Sequence, residues 1–323
     1  MNAPLQKICE QFIENRETIK KTLKMGSALI YPACANLFCA RGMLAQEEKL
    51  LACRQLLKEN TGMFSNFRSH LQVAVICMLS MEEKPEEKLT RALDAYEQMK
   101  KMFPATDYLV LAAMMLSDRE DLTEKIARGK EIYQRMRKEH PFLTSSEDSV
   151  FAILMAFSDK IDDALVADME ESYELLHQRF GKGNHVQAVS HVLALKEGDP
   201  RRKAERVCEL FDEIQRFGGK YSKYYELPTL AALAMLGDNM KQTAADMMDV
   251  DAFLATQKGY GFWSLYGKKG RLMHAAMLVT DRYGSADTAD AAALSGTLAM
   301  LIAQQMAACA AVNGAAAAAS AVD

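Results

Sequence analysis

The sequence predicts an all-α protein, an α-solenoid of stacked helical hairpins with a period of about 37–42 residues. Three observations predict it. Ala, Leu, Glu and Lys dominate the 323 residues, with 21 methionines and only 7 prolines, and no sustained two-residue alternation argues for strands. Apolar segments end near Cys39, Leu79, Leu116, Phe157, Leu195, Leu236 and Leu278, at steps of 40, 37, 41, 38, 41 and 42 residues. After each comes a short polar connector and an amphipathic segment. There Tyr96, Tyr133, Tyr173 and Phe211 recur 16 or 17 residues on, with Met99, Met136, Leu176 and Ile214 three residues later.

Residues three apart share a helix face, so every unit offers its neighbour the same aromatic-plus-aliphatic stripe. One hairpin cannot cover its apolar face alone, and stacking makes the core continuous. The strictly spaced tetratricopeptide period does not fit. A bundle with chance similarity does not explain why Leu79-Ser80, Leu116-Ser117 and Phe157-Ser158 recur at the segment ends.

The elements follow in order. Residues 1–26 read as a polar, amphipathic helix that caps the first unit. Residues 27–255 hold the hairpin repeats. Their first helices, such as 71–79 and 108–116, are apolar nearly all round and belong to the inner layer. Their second helices, such as 86–102, carry a charged face and belong outside. Residues 256–271 break the rhythm with an insertion in which Tyr260, Phe262, Trp263 and Tyr266 stand among glycines. Residues 272–323 complete a terminal hairpin with an Ala-rich C-terminal helix (289–322) and a frayed tail. That helix has the length to cross a membrane, but Gln304, Gln305 and Asn313 interrupt it and Ala adds little drive into hydrocarbon. A small-residue helix packed on the last repeat, offering a face for self-association, is the expectation.

Composition excludes several classes. An apolar half rules out disorder, and Gly 17 with Cys 7 rules out collagen-like and disulfide scaffolds. Against 43 Asp and Glu, the 39 Lys and Arg leave a net charge of −4, so no nucleic-acid footprint is expected. No membrane partner is expected either. The first residues carry acids and amides rather than a signal-peptide core, which predicts a cytoplasmic location. An odd number of cysteines, mostly in apolar runs, reads as buried free thiols.

Motifs for chemistry are few. No dinucleotide or P-loop fingerprint occurs, since Gly261 to Lys269 ends in Lys-Lys where a P-loop needs Lys followed by Ser or Thr. The histidines at 70, 140, 177, 185, 191 and 274 lack the spacing of a helical metal site. No metal, cofactor or catalytic residue is assigned.

The repeat register offers more. Eleven positions before successive segment ends stand Arg68, Ala105, Ser146, Asn184 and Tyr225, and nine before stand His70, Asp107, Asp148, Val186 and Leu227. Polar residues thus recur where each first helix begins. Helix capping is one account of them. The other is a polar ridge of Arg68, His70, Asp107, Asp148, Asn184, Gln187, Ser190 and His191, flanked by Phe64, Phe67, Tyr108, Tyr221, Tyr224 and Tyr225 as anchors. Such a strip suits an extended peptide or a protein loop. An alternative pocket for a small molecule gathers Tyr260, Trp263, Tyr266, Lys268 and Arg271, aromatics beside cations. The same aromatics would also serve as packing.

Three strings, Asn60–Arg68, His140–Asp148 and Gly183–His191, resemble motifs of an uncharacterised bacterial family of unknown function, over roughly residues 25–280. The resemblance implies a bacterial, cytoplasmic, helical protein and supplies no activity. Its strings overlap the polar ridge. A non-catalytic helical-repeat protein that binds a peptide or protein partner along the first-helix edge is the function this reading favours.

Overall fold

A computed structural model of the chain describes residues 1–284, apart from Ser27, Phe142, Ser145, Glu147, Phe262, Trp263 and Leu265. The Ala-rich C-terminal segment and Trp263 lie outside the described residues. Among the described residues every regular element is helical, with fourteen α-helices and a 3-10 turn at Asn66–Arg68.

Short apolar helices alternate with longer amphipathic ones. The short ones are α2 (Ile30–Ala40), α4 (Gln72–Ser80), α6 (Asp107–Leu116), α8 (Asp148–Met155), α10 (Asn184–Ala194) and α12 (Leu227–Leu236). The long ones are α3 (Glu47–Asn60), α5 (Pro85–Met99), α7 (Leu122–Glu139), α9 (Asp162–Phe180), α11 (Pro200–Arg216) and α13 (Met240–Ala255). Helix α1 (Ala3–Leu23) precedes them and α14 (Gly267–Gly284) ends the described chain. The division follows the residues. Val73 to Ser80 of α4 and Leu227 to Ala234 of α12 are buried without a break, so these helices have no face for water. Helix α11 buries Ala204, Val207, Leu210, Phe211 and Ile214 at helical spacing and leaves Arg201, Arg202, Glu205, Glu209 and Arg216 exposed, while Lys203 and Glu213 are buried beside the apolar stripe.

Contacts divide the chain into two units. One comprises Phe12–Gln134 with Ser145–Phe157. Within it α4 packs on α2 and α6, α6 on α8, and α3 on α5, while α4 also meets α3 and α5. Helix α7 joins α5 through Thr123, whose hydroxyl donates to Gln98 Oε1 at 2.9 Å, and meets the connector after α5 through Tyr133, set edge-on to Phe103 at 5.8 Å. Asn15 of α1 ties down the loop after α2, donating to the Met43 carbonyl at 3.1 Å and accepting from the Ala45 N–H at 2.8 Å.

The other unit, among the described residues, comprises Met1–Gln11, Arg135–Thr144 and 158–284. Here α10, α12 and α14 pack in sequence, as do α9, α11 and α13, and the two rows meet at α9–α10, α10–α11, α11–α12 and α13–α14. The N-terminal ammonium of Met1 pairs with Asp249 of α13.

Rings mark the register of both units. Phe67 meets Tyr96 at 5.5 Å, Phe103 meets Tyr133 at 5.8 Å, His140 meets Tyr173 at 4.6 Å and Phe180 meets Phe211 at 5.2 Å. Helices α5, α7, α9 and α11 thus each present the aromatic that the periodicity picked out, and a ring from the end of the preceding long helix or the connector after it packs beside it. The cysteines 9, 34, 39, 53 and 77 are buried free thiols, and Cys208 is half-buried. Burial pushes the Cys9 thiol up to about 12 and the Cys53 thiol up to about 11, so both stay protonated and inert.

Candidate functional site

In the unit from Ser158 on, the starts of α10, α12 and α14 form one edge. The turn into α10 needs glycine twice, since Gly181 has φ +87° and Gly183 φ +148°. That turn sets the His185 ring edge-on to Tyr224 at 5.6 Å. From the start of α14, the Lys269 ammonium lies 5.9 Å from the centre of the same Tyr224 ring. The loop carrying Tyr224 is pinned from inside, because Tyr221 is buried and its hydroxyl donates to the Glu226 carbonyl at 2.8 Å. Burial raises the Tyr221 phenol well above its ordinary value, so it remains a donor. With its root fixed, the loop projects Tyr224 and Tyr225 outward, 59 % and 66 % exposed. Large rings exposed to this degree on a pinned loop have contact area to offer at little cost in ordering.

The ridge residues separate into surface and interior. Asn184 and His70 are exposed, and Arg68 and Asp107 are half-buried. Arg68 donates to the Thr61 carbonyl at 3.4 Å. Asp148, Gln187, Ser190 and His191 are buried. Gln187 donates to the Thr144 hydroxyl at 3.2 Å, and Ser190 turns back onto the Gln187 carbonyl at 2.8 Å. Burial drives His191 down to about 3, with His140 adding repulsion, so its imidazole is neutral. These last four cannot reach a partner on the surface. Capping does not account for Asn184 or Asp107: the N-caps of their helices are Gly183 and Thr106, neither with a side-chain cap bond. Asp107 in the first turn of α6 still complements the helix dipole. Among the flanking aromatics, Phe67 and Tyr221 are core, Tyr108 is half-buried and Phe64 is 93 % exposed.

The alternative pocket is occupied by its own side chains where it is described. Tyr260 is buried, with its hydroxyl 2.7 Å from His274 Nδ1, and the Tyr260, Tyr266 and His274 rings pack at 5.1 to 5.6 Å. Arg271 grips Asp251 through two bonds of 2.7 and 2.9 Å. That bond and the Asp251 charge raise its guanidinium pKa further. Lys268 is exposed on the first turn of α14.

Sequence reasoning missed a second register. Five positions before the recurring aromatics stand Arg91, Arg128, Asp168 and Arg206, and eight before stand Lys88, Lys125, Leu165 and Lys203. Most of these cations reach the C-terminal end of a short helix, where carbonyls lack partners. Arg128 donates to the Ala156 carbonyl at 2.8 Å, Arg206 to Ala234 at 3.0 Å and to Gly237, and Lys88 and Arg91 hold Asp118 after α6. Where Asp168 replaces the arginine, two ammoniums take over. Lys160 and Lys203 both bind Asp168, at 2.6 and 2.8 Å, and both donate to carbonyls at the end of α10. The same repeat carries His140 where its neighbours have Phe103 and Phe180, and His140 lies 3.0 Å from Glu170. Burial raises the Glu170 carboxyl against the pull of His140. A Lys-x-x-Arg spacing compared between repeats was the available signal. No group of three or more His, Cys, Asp or Glu among the described residues could hold a metal ion.

An all-helical protein with alternating buried and amphipathic helices is thus the class the fold defines. The chain matches the family described as "Protein of unknown function (DUF4003)" over residues 15–307, and it belongs to that family. It is also similar to "Uncharacterized protein YeaA" of Bacillus subtilis (strain 168), 29 % identical over 189 residues, covering 56 % of this chain and 57 % of that one. The chain therefore matches little more than half the length of this relative. No solved structure matches. The bacterial family of unknown function that the three strings resemble is the one found, and no helix of the described residues is long and apolar enough to cross a membrane.

Proposed function

We propose that the chain is a non-catalytic helical-repeat protein, an α-solenoid whose first-helix edge binds an extended peptide or loop of a protein partner. The observation that carries this reading is the Tyr224–Tyr225 pair, exposed on a pinned loop between His185 and Lys269. Exposed aromatics at the centre of a polar strip are the residues that dominate protein interfaces. Three successive helix starts supply the strip, which is the long, continuous surface that repeat stacks use for recognition.

The test replaces both rings. A Tyr224→Ser, Tyr225→Ser variant should lose the partner that the wild type captures from bacterial lysate, with an unchanged helical circular dichroism signal. A Glu205→Gln, Glu209→Gln variant, altered on the outer face of α11, should keep it. Equal retention by all three proteins would remove the edge from the account. The competing small-molecule reading requires Arg271 to leave Asp251, and a ligand that co-purifies and is lost on Arg271→Ala would favour it instead.

A further inference from the structure

We infer that the segment this edge receives is acidic, an extended peptide in which carboxylates alternate with apolar side chains. The inference rests on the edge reading and adds the chemistry of the occupant. Lys182 stands in the turn before α10, Lys220 and Lys223 in the Tyr221–Tyr225 loop, and Lys268 and Lys269 on the first turn of α14. All five are exposed, and none makes an ion pair among the described residues. Lys223 and Lys269 lie instead near the rings of Phe211 and Tyr224, at 5.7 and 5.9 Å.

The only carboxylate in these three segments is Glu226, half-buried at the start of α12, and Arg271 further along α14 is already neutralised by Asp251. The groove between α9 and α11 is different. There Arg201 and Arg216 are interleaved with Glu205, Glu209 and Asp212. In a chain with more acids than bases, 43 against 39, a surface of unopposed lysines around two exposed rings is not a by-product of composition. It is complementary to carboxylates, with the tyrosines free to cover apolar side chains between them.

Nucleic acid fits less well. The edge offers lysines, which act as point charges, and no available arginine to fork onto a phosphate. A dense polyanion would also feel the −4 net charge of the whole chain, whereas a peptide with a few carboxylates senses mainly the lysines within a Debye length of about 8 Å.

The test uses the full chain and a fluorescein-labelled synthetic peptide alternating Glu and Leu, read by fluorescence anisotropy. Its controls are the matching Gln–Leu peptide and single-stranded oligouridine. The acidic peptide should bind more tightly than the Gln–Leu peptide, and Lys223→Gln with Lys269→Gln should weaken it roughly tenfold and leave a shallower dependence on added salt than the wild type shows. Equal binding of the acidic and neutral peptides overturns the inference, as does tighter binding of oligouridine through the same lysines. A lysate partner lost with Tyr224→Ser, Tyr225→Ser but unaffected by the lysine substitutions would also overturn it while leaving the edge reading intact. Loss of neither would fail both.

Discussion

His191 illustrates how depth decides what a side chain can do. It is six residues beyond His185, nearly opposite on α10, so one ring meets the exposed Tyr224 while the other is sealed in the interior. The sequence reading placed Asp148 on the surface ridge by counting from the repeat ends and added Gln187, Ser190 and His191 as donors on the same strip, and position along the chain does not fix depth. The neutral His191 has a measurable consequence. Its pKa falls to about 3 from an unfolded value near 6.5, so the unfolded chain binds the extra proton between those limits. Stability is therefore intact above about pH 6.5 and declines as pH falls toward 3, by about 2 kcal/mol at pH 5. Urea unfolding at pH 7 and pH 5 should show that loss in the wild type and a smaller one in His191→Gln. Asp168 makes the opposite case. Burial pushes the Lys203 ammonium down while Asp168 holds it up, and Lys160 shares the same carboxylate. Asp168→Ala removes the carboxylate that both ammoniums share and should cost about 3–5 kcal/mol of unfolding free energy.

At the scale of the element, the short helices depend on their neighbours at both faces and ends. Gly129 of α7 shows the first dependence. A Cβ there would sit 2.9 Å from the Ile153 Cα and 3.2 Å from the Ala152 carbonyl oxygen of α8, backbone that cannot swing aside. Helix propensity alone would make Gly129→Ala stabilising by about 1 kcal/mol. The collision outweighs it, since overpacking typically costs about 1–3 kcal/mol, so Gly129→Ala should lower the thermal midpoint. Arg206 shows the second dependence. It closes two carbonyls at the end of α12, and Arg206→Ala should cost roughly 1–3 kcal/mol and speed amide hydrogen exchange in the last turn of that helix. The alternation of these elements was legible because wholly apolar runs and amphipathic runs have different periodicities. The cation at each helix end was not, because it links residues about 28 positions apart and only a repeat-against-repeat comparison aligns them.

For the whole molecule, the helical class and the alternation of short and long helices followed from a period visible in Tyr96, Tyr133, Tyr173 and Phe211, and all four rings are buried in the core. The proposed binding edge was legible in part. Asn184 and Tyr225 fell on the register, and Tyr224 stood beside it, but Lys268 was assigned to the alternative pocket and Lys182, Lys220 and Lys223 to no site. Their significance lies in their having no ion pair among the described residues, which depends on how three distant segments meet. The central claim is that a partner docks where α10, α12 and α14 begin. Photo-crosslinking tests it most directly, with p-benzoylphenylalanine placed at Tyr225 in one protein and at Glu209 on the exposed face of α11 in another. The account predicts a discrete protein adduct from position 225 in bacterial cells and none from position 209. Adducts of equal yield from both positions, or none from position 225, would contradict it.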